Sequence, residues 1–474
     1  MTRDPLWTDE TVTDATGGET TEAFEAEGVA FDSRQVESRD LFVALHGEQS
    51  DGHQFVNQAF EKGAAAAMVD HRPDDVTPQQ PLLLVVDTSR GLDDLARAAR
   101  SRINGRVAAV TGSVGKTGAK DALRHVLSQQ GLTHVSDKNF NNHVGTPLSL
   151  ARMPKATQFG VFEVGTNAPG EIGPLAALVR PHVALITTVE PVHVGNFVDE
   201  EAIAHEKADV FHGLEGGGIA LINADNRHAG LLAERAAASP AGSVKRFGTA
   251  EACDHRLIKW TPDEHGSKVT ALIDGALHSY RLALSGHHQA INSVGVLAVV
   301  HHLGGDVAAA AYALAGLEPL LGRGRRHVLA LDGGTATIHD ESYNASPVAV
   351  RAALEVLAAA SPGAGGRRIA VLGDMLELGA VETAEHTGLA GDLMSAKVDL
   401  MFAVGPLMNR LYGELPPLRR GGAAGDARAI AMLLSDVVRP GDVVLIKGSR
   451  RIGLETVVEA LLDHARPARA AKRG

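Results

Sequence analysis

Apolar residues fall along this chain in short unbroken runs. Asp40-Leu-Phe-Val-Ala-Leu45 and Leu82 to Val86 are runs of this kind, each like a strand buried on both faces. Between them Val56 to Ala67 has helical spacing, and Gly63 to Val69 leads into another strand. The first stretch, to about residue 103, therefore reads as a small α/β module. A second region opens with a strand at Arg106 to Val110, which runs into a glycine-rich turn and then a helix over Lys120 to Gln130. Strands follow at Phe159 to Val164, Val183 to Thr188 and Gly218 to Asn223, with helical stretches between them. That order predicts a parallel sheet with helices on both faces. A Gly/Pro/Arg-rich link at Leu317 to Arg326 reads as a hinge. Beyond it Thr337 to Asp340, Ile369 to Leu372, Leu400 to Val404 and Val443 to Ile446 again alternate with helices. The expectation is an α/β chain of three domains, residues 1–103, 104–316 and 317–474.

Composition agrees with a chain of this kind. Its 474 residues, 44% apolar and 22% charged, suit several globular cores. Aromatic residues make up only 4%, too few for stacking platforms on single-stranded nucleic acid. A net charge of -12 opposes phosphate backbones as partners, so no nucleic acid is expected. The basic run Arg466 to Arg473 reads as a solvated chain end. Cys253 is the single cysteine, which excludes an internal disulfide. The stretch Met1 to Glu10 lacks the apolar core of a signal peptide, and no apolar run is long enough for a membrane span. A cytoplasmic monomer is expected.

Chemistry enters at Thr111-Gly-Ser-Val-Gly-Lys-Thr117, between a strand and a helix. In that position backbone N–H groups and the helix dipole can cradle phosphates. Gly112 and Gly115 allow the tight turn, Ser113 lies between them, Lys116 reaches for β/γ-phosphates, and the Thr117 hydroxyl suits Mg²⁺. The common motif has a further glycine where Val110 stands, so this is a shortened form. ATP with Mg²⁺ is the expected cofactor pair. Glu163 ends a strand at the edge where ligands collect in open sheets, and a carboxylate there can hold Mg²⁺. His193 follows a strand at an equivalent edge, and Lys207 lies in a helical stretch beyond it. Taken singly, each also fits a structural role: a strand-end acid, a loop histidine, a surface lysine.

Together the motifs resemble the Mur ligase family, from about Phe31 to Val458. Asp32-Ser-Arg34, Asp40 to Leu45 and Asp51-Gly-His53 resemble the family's N-terminal UDP-sugar module, and Thr111 to Thr117 its form of the phosphate loop. Asn139 to Pro147 resembles the asparagine-rich loop after the first central helix, and Glu163 to Glu171 the segment with a Mg²⁺ ligand. His193 matches a metal-associated histidine, and Lys207 the lysine that family members carry as a carbamate. Gly286 to Asn292 matches the segment whose asparagine meets adenine. Arg323 and Asp340 fall where the third domain reaches the nucleotide. Asp340 to Pro347 and Lys447-Gly-Ser-Arg450 are signatures of the branch that adds a dipeptide.

The resemblance implies a UDP-binding N-terminal module, a central P-loop ATPase-like parallel-sheet domain and a Rossmann-like C-terminal domain. It implies an ADP-forming ligase that joins D-alanyl-D-alanine to UDP-N-acetylmuramoyl-tripeptide for peptidoglycan, through an acyl phosphate. Lys116, Lys207 and His193 are then catalytic, and Thr117, Glu163, His193 and Lys207 hold metal. Gly112, Ser113, Gly115, Lys116, Thr117, Asn292, Arg323 and Asp340 bind nucleotide, and Ser33, Arg34, Asn142, Thr146 and Asn344 bind substrate. The chain departs from the family pattern at Ser346, which replaces an amide, at Gly118, where a hydroxyl residue is common, and at Thr166. A ligase of the same family that adds a diamino acid one step earlier is the nearest alternative. A nucleotide-dependent regulatory protein is the alternative of another class.

Overall fold

The computed structural model describes residues 4–47, 50–137, 140–191, 196–263 and 266–464. By packing, the chain forms two compact units. The first comprises residues 1–189, 204–247 and 295–310, and the second 190–203, 248–294 and 311–474. Among the described residues no helix is long and apolar enough to cross a membrane.

Besides a two-stranded pairing of Trp7–Thr8 with Glu25–Ala26, the first unit holds two larger sheets. The smaller is built from β1 (Glu19–Thr20), β2 (Gly28–Ala30), β3 (Asp40–Val43), β4 (Ala66–Val69) and β5 (Leu82–Leu84), in the order β1-β5-β4-β3-β2. Every residue of β3 and β4 is buried, as their unbroken apolar runs require. The helix expected across Val56 to Ala67 stops at Glu61, because Gly63 turns the chain with φ +96° into β4. Helix α1 (Thr88–Ser101) buries Leu92, Leu95 and Ala99 beneath this sheet, in a core shared with Leu148 and Ala151. Polar bonds reinforce that junction: the Trp7 indole donates to Ala151 O at 2.9 Å, and the Arg102 guanidinium stacks on Trp7 and donates to Leu6 O and Met153 O.

The larger sheet uses β6 (Arg106–Thr111), β7 (Thr133–Val135), β8 (Phe159–Glu163), β9 (Val183–Ile186), β10 (Ile219–Asn223) and β11 (Ser243–Gly248). These run parallel in the order β7-β8-β6-β9-β10-β11. Its helices include α2 (Lys116–Leu127), α3 (Gly145–Ala151), α4 (Ile172–Val179) and α5 (Glu200–Ala208). With β6 and β8 adjacent, Glu163 pairs in register with Val110, so the end of β8 lies beside the strand that feeds the phosphate loop.

The second unit holds an antiparallel meander of β12 (His255–Asp263), β13 (Gly266–Ile273) and β14 (Ala276–Leu282). Helix α6 (His287–His302) follows it in sequence. A mixed sheet is made of β15 (Arg325–Leu331), β16 (Gly334–Glu341), β17 (Arg368–Gly373), β18 (Leu400–Val404), β19 (Arg420–Ala424) and β20 (Val443–Lys447). Its order is β15-β16-β20-β17-β18-β19, parallel except for the β15–β16 hairpin. The architecture is α/β throughout, with no barrel among the described residues.

Candidate active site at the carboxyl edge of the parallel sheet

The phosphate loop is shaped by what surrounds it. Gly112 has φ +144°, and a Cβ there would collide with the Thr187 hydroxyl. That hydroxyl donates to Val114 O at 2.6 Å, and Ser113 N–H donates to Thr188 O at 2.7 Å. Asn223 and Asn226 hold the strand end from the other side, donating to Thr187 O, Val189 O and the Thr188 hydroxyl. Gly115 (φ +89°) turns the chain into α2. Lys116 folds back on its own loop, with Nζ donating to Gly112 O at 2.6 Å and to Ser113 O at 3.3 Å. Thr117, half-buried, follows on the first turn. A Cβ at Gly118 would meet nothing within 4 Å, so the missing hydroxyl residue leaves open space on α2 and no packing defect.

Glu163 is buried at the end of β8. Its Oε1 accepts from the Asn141 amide at 2.8 Å, while Oε2 accepts no hydrogen bond among the described residues. The Lys120 ammonium lies 3.9 Å from Oε2 and donates to Ser136 O at 3.0 Å. The Thr111 hydroxyl, at the end of the neighbouring strand, is likewise buried without a partner. Buried polar atoms are nearly always satisfied, so two such atoms at one sheet edge mark a place for a polar ligand.

Lys207 is buried on α5, and desolvation, with Lys116 nearby, holds its amine well below the usual lysine range. Its neighbour Glu206 accepts three successive backbone N–H groups, from Gly170 (2.6 Å), Glu171 (3.0 Å) and Ile172 (2.8 Å), at the start of α4. Lys120, Asn141 and Glu206 were not among the residues expected from the sequence. The first stands one helical turn after Lys116, the second within the asparagine-rich loop and the third beside Lys207, so position along the chain could have flagged each.

Other expected residues occupy plainer settings. Asn142 Oδ1 accepts from Val144 and Gly145 N–H at the start of α3, and Thr146 is fully buried with its hydroxyl unpartnered. Arg34 is exposed and paired twice with Asp32, whose carboxyl it pulls down to about 2, while Ser33 donates to Gln58 at 2.6 Å. His193 and Asn139 lie outside the described residues.

In the second unit Asp340 is buried at the end of β16 and accepts from Gly322 N–H, Ser342 N–H and the Ser342 hydroxyl. It thereby fixes the link that precedes β15. The Arg323 guanidinium stacks on Tyr343 with its carbon 3.9 Å from the ring centroid. Asn344 accepts from Ala345 N–H and offers its carbonyl to the buried Lys447 ammonium at 3.0 Å. Ser346 caps the helix α7 (Pro347–Ala359), accepting from Ala349 N–H, so the departure there keeps a good N-cap. Asn292, half-buried, lies on the first turns of α6.

A phosphate loop, a half-satisfied buried acid and a buried low-pKa lysine share one unit of this α/β chain, and known proteins match it along its length. Family profiles cover residues 25–102 (Mur ligase family, catalytic domain), 110–300 (Mur ligase middle domain) and 324–450 (Mur ligase, glutamate ligase domain). The chain belongs to the Mur ligase family and is an ATP-dependent ligase. It is 33% identical over 439 residues to the UDP-N-acetylmuramoyl-tripeptide--D-alanyl-D-alanine ligase of Bacillus subtilis, across 92% of this chain and 93% of that enzyme. Its fold is similar to the crystal structure of MurF from Acinetobacter baumannii, with TM-score 0.84 at 27% identity, covering 96% and 99% of the two chains. MurF ligase from Thermotoga maritima in complex with ADP matches with TM-score 0.76 at 27% identity, covering 92% and 97%.

Proposed function

We propose that this ligase joins D-alanyl-D-alanine to UDP-N-acetylmuramoyl-tripeptide, giving the UDP-linked pentapeptide precursor of peptidoglycan in the cytoplasm. The observation that carries the chemistry is the sheet edge where buried Glu163 keeps one oxygen unsatisfied beside the strand feeding the Lys116 loop. The two substrates are those in the names of relatives that span nearly the whole chain.

The terminal carboxylate of the tripeptide attacks the γ-phosphorus of ATP. The bond from phosphorus to the bridging oxygen breaks, ADP leaves, and an acyl phosphate forms. The amine of D-alanyl-D-alanine then attacks the acyl carbon, and phosphate departs with the electron pair of the C–O bond as the amine loses a proton. The loop amides and Lys116 receive the phosphates, Lys116 exchanging its contacts to Gly112 O and Ser113 O for them. Thr117 and Glu163 fit as magnesium ligands, since both offer hard oxygen donors and one Glu163 oxygen accepts no hydrogen bond among the described residues. Magnesium, when bound, supplies the charge neutralisation that phosphoryl transfer requires. His193 completes the proposed ligand set.

Lys207 has the property its proposed carbamate needs. Burial shifts the amine toward its neutral form, and only a neutral amine adds to CO₂, forming N–COO⁻ and releasing one proton. The product is an anion where a cation would repel Lys116. Asn292, Arg323 and Asp340 are proposed nucleotide contacts, and Ser33, Arg34, Asn142, Thr146 and Asn344 substrate contacts. The decisive assay follows phosphate release from ATP with UDP-N-acetylmuramoyl-tripeptide, with and without D-alanyl-D-alanine, and weighs the product. Release that requires the dipeptide, with a pentapeptide product, is expected. Release indifferent to the dipeptide, with no new amide, would falsify the substrate assignment.

A further inference from the structure

The small sheet of the first unit carries a histidine–carboxylate cluster that includes Asp51 and His53 of the segment resembling the UDP-sugar module and has no role in the proposed bond-making steps. His46 follows β3, His53 stands in the one-turn helix Gly52–Phe55 just beyond, and Asp70 and His71 follow β4. They therefore gather at the carboxyl ends of two adjacent parallel strands, where α/β sheets collect ligands. The rings of His46 and His53 stack at 4.9 Å between centroids, and those of His53 and His71 at 4.3 Å. The loop bearing them is tight. Gly52 N–H donates to Leu45 O at 2.8 Å, Gly47 N–H to Ser50 O at 2.9 Å, and a Cβ on Gly52 would press on the Leu45 backbone.

Two carboxylates flank the rings. Asp51 Oδ1 accepts from His53 Nδ1–H at 2.7 Å and lies 3.3 Å from His46 Nδ1. Asp70 meets the opposite side, with Oδ2 at 2.6 Å from His46 Nε2 and Oδ1 at 3.2 Å from His53 Nε2. His53 is thus fixed in the tautomer that leaves Nε2 as a lone pair, accepting Asp70 N–H at 3.1 Å. At 2.6 Å, His46 Nε2 and the Asp70 carboxylate need a positive centre between them, a proton or a metal ion. One donor atom from each of His46, His53 and Asp70 lies within 4.8 Å of the others.

We propose that His46 Nε2, His53 Nε2 and an Asp70 carboxylate oxygen form a binding site for a zinc-class divalent ion. Two imidazoles and a carboxylate are a donor set that zinc takes with bonds of about 2.0–2.2 Å, leaving a fourth position for water. Donors in a tetrahedral site stand roughly 3.3 Å apart, so the 2.6 Å His46–Asp70 contact opens as the ion enters, while His53 Nε2 already lies 3.2 Å from Asp70 Oδ1. The His46 proton moves from Nε2 to Nδ1, where Asp51 is placed to accept it, and the ring stays neutral. His53 exchanges the Asp70 N–H for the ion. Asp51 on the Nδ1 side and His71 on Asp70 Oδ1 (2.6 Å) orient the ligands as outer partners, the arrangement usual behind metal-bound histidines. His53 is buried while His46 is half exposed, so the ion can enter from solvent.

The test uses the full chain without a polyhistidine tag, with ADP and excess magnesium occupying the nucleotide site. Zinc is titrated against a chromophoric chelator, and cobalt binding is followed by its visible absorption. The wild type is expected to bind one equivalent. His46→Gln and Asp70→Asn are each expected to weaken binding at least tenfold and to abolish the cobalt band. His46 is exposed enough that His46→Gln should keep the wild-type urea midpoint in chelator, which separates lost ligation from lost folding. Equal zinc affinity in wild type and His46→Gln, or no zinc uptake by the wild type, overturns the site.

Discussion

Glu163 is held by the Asn141 amide on one oxygen and has Lys120 at 3.9 Å from the other, which still accepts no hydrogen bond among the described residues. Glu163→Gln keeps the shape and an acceptor for Asn141 but removes the charge. Ligation is expected to fall at least about 100-fold, roughly 2.7 kcal/mol of transition-state stabilisation, with a raised magnesium requirement. The variant leaves no cavity but takes the counter-charge from the buried Lys120, so some loss in urea unfolding is expected; a loss of stability with normal magnesium dependence would make Glu163 a structural acid. Gly118 carries the opposite expectation. Open space at its Cβ and a helical setting mean Gly118→Ala should stabilise by about 0.5–1 kcal/mol without touching the loop, and a lower urea midpoint would contradict the space seen there. The placement of Lys116, Thr117 and Glu163 at one sheet edge was legible because it follows from a strand–loop–helix sequence. Asn141, Lys120 and Glu206 were not, since each acts through a partner that only folding brings near. Asn142 shows the converse, an expected substrate contact whose side chain already caps its own helix start.

Helix α4, only eight residues long, is closed at both ends by buried charges from other elements. Glu206 takes its first N–H groups, and the Arg100 guanidinium donates to Val179 O and Arg180 O at its end, where Arg180 turns with φ +45°. An anion at the N-terminus and a cation at the C-terminus match the helix dipole, and each satisfies groups that would otherwise be buried unpaired. Glu206→Ala strands three N–H groups and should cost about 2–4 kcal/mol in urea unfolding. Glu206→Gln, which keeps an acceptor, should cost less than half of that. Equal losses would mean the charge matters and the hydrogen bonds do not. Most parallel strands, such as β6, β8, β9 and β10, were legible as apolar runs, but β7 and β11, also parallel, were not expected from the sequence. Strands β12 to β14 were not, because they bury one face and expose the other in a mixed pattern without long apolar runs. Strand β19, Arg-Gly-Gly-Ala-Ala, has too few side chains to signal anything, and its pairing with β18 is what makes it a strand.

For the molecule as a whole, acid sets two effects against each other. The chain carries -12 at neutral pH, so acidification first relieves self-repulsion and favours the folded state. Buried and half-buried histidines act the other way. His182 accepts Val107 N–H on its Nδ1 at the start of β9, and burial together with Arg106 and Arg100 pushes it down to about 4 from 6.5. His339, buried within β16, is pushed down to about 4 by burial and Arg326. Between pH 6.5 and about 4 the unfolded chain takes up these protons and the folded chain does not, so stability must fall as pH falls through that window. A shift of this size amounts to up to about 3 kcal/mol for the buried His339, and to less for the half-buried His182, where solvent screens the charge; together they outweigh the diffuse surface repulsion that salt screens. Urea midpoints measured from pH 7.5 to 4 at fixed ionic strength should therefore stay level above pH 6.5 and decline below it. His182→Gln lowers the plateau by loosening the Val107 contact but should flatten the decline, since a glutamine takes up no proton. A curve that rises toward pH 5 in the wild type would return the acid response to surface charge, and a decline equally steep in His182→Gln and a matching His339→Gln would move it to the other depressed histidines, His288 and His134.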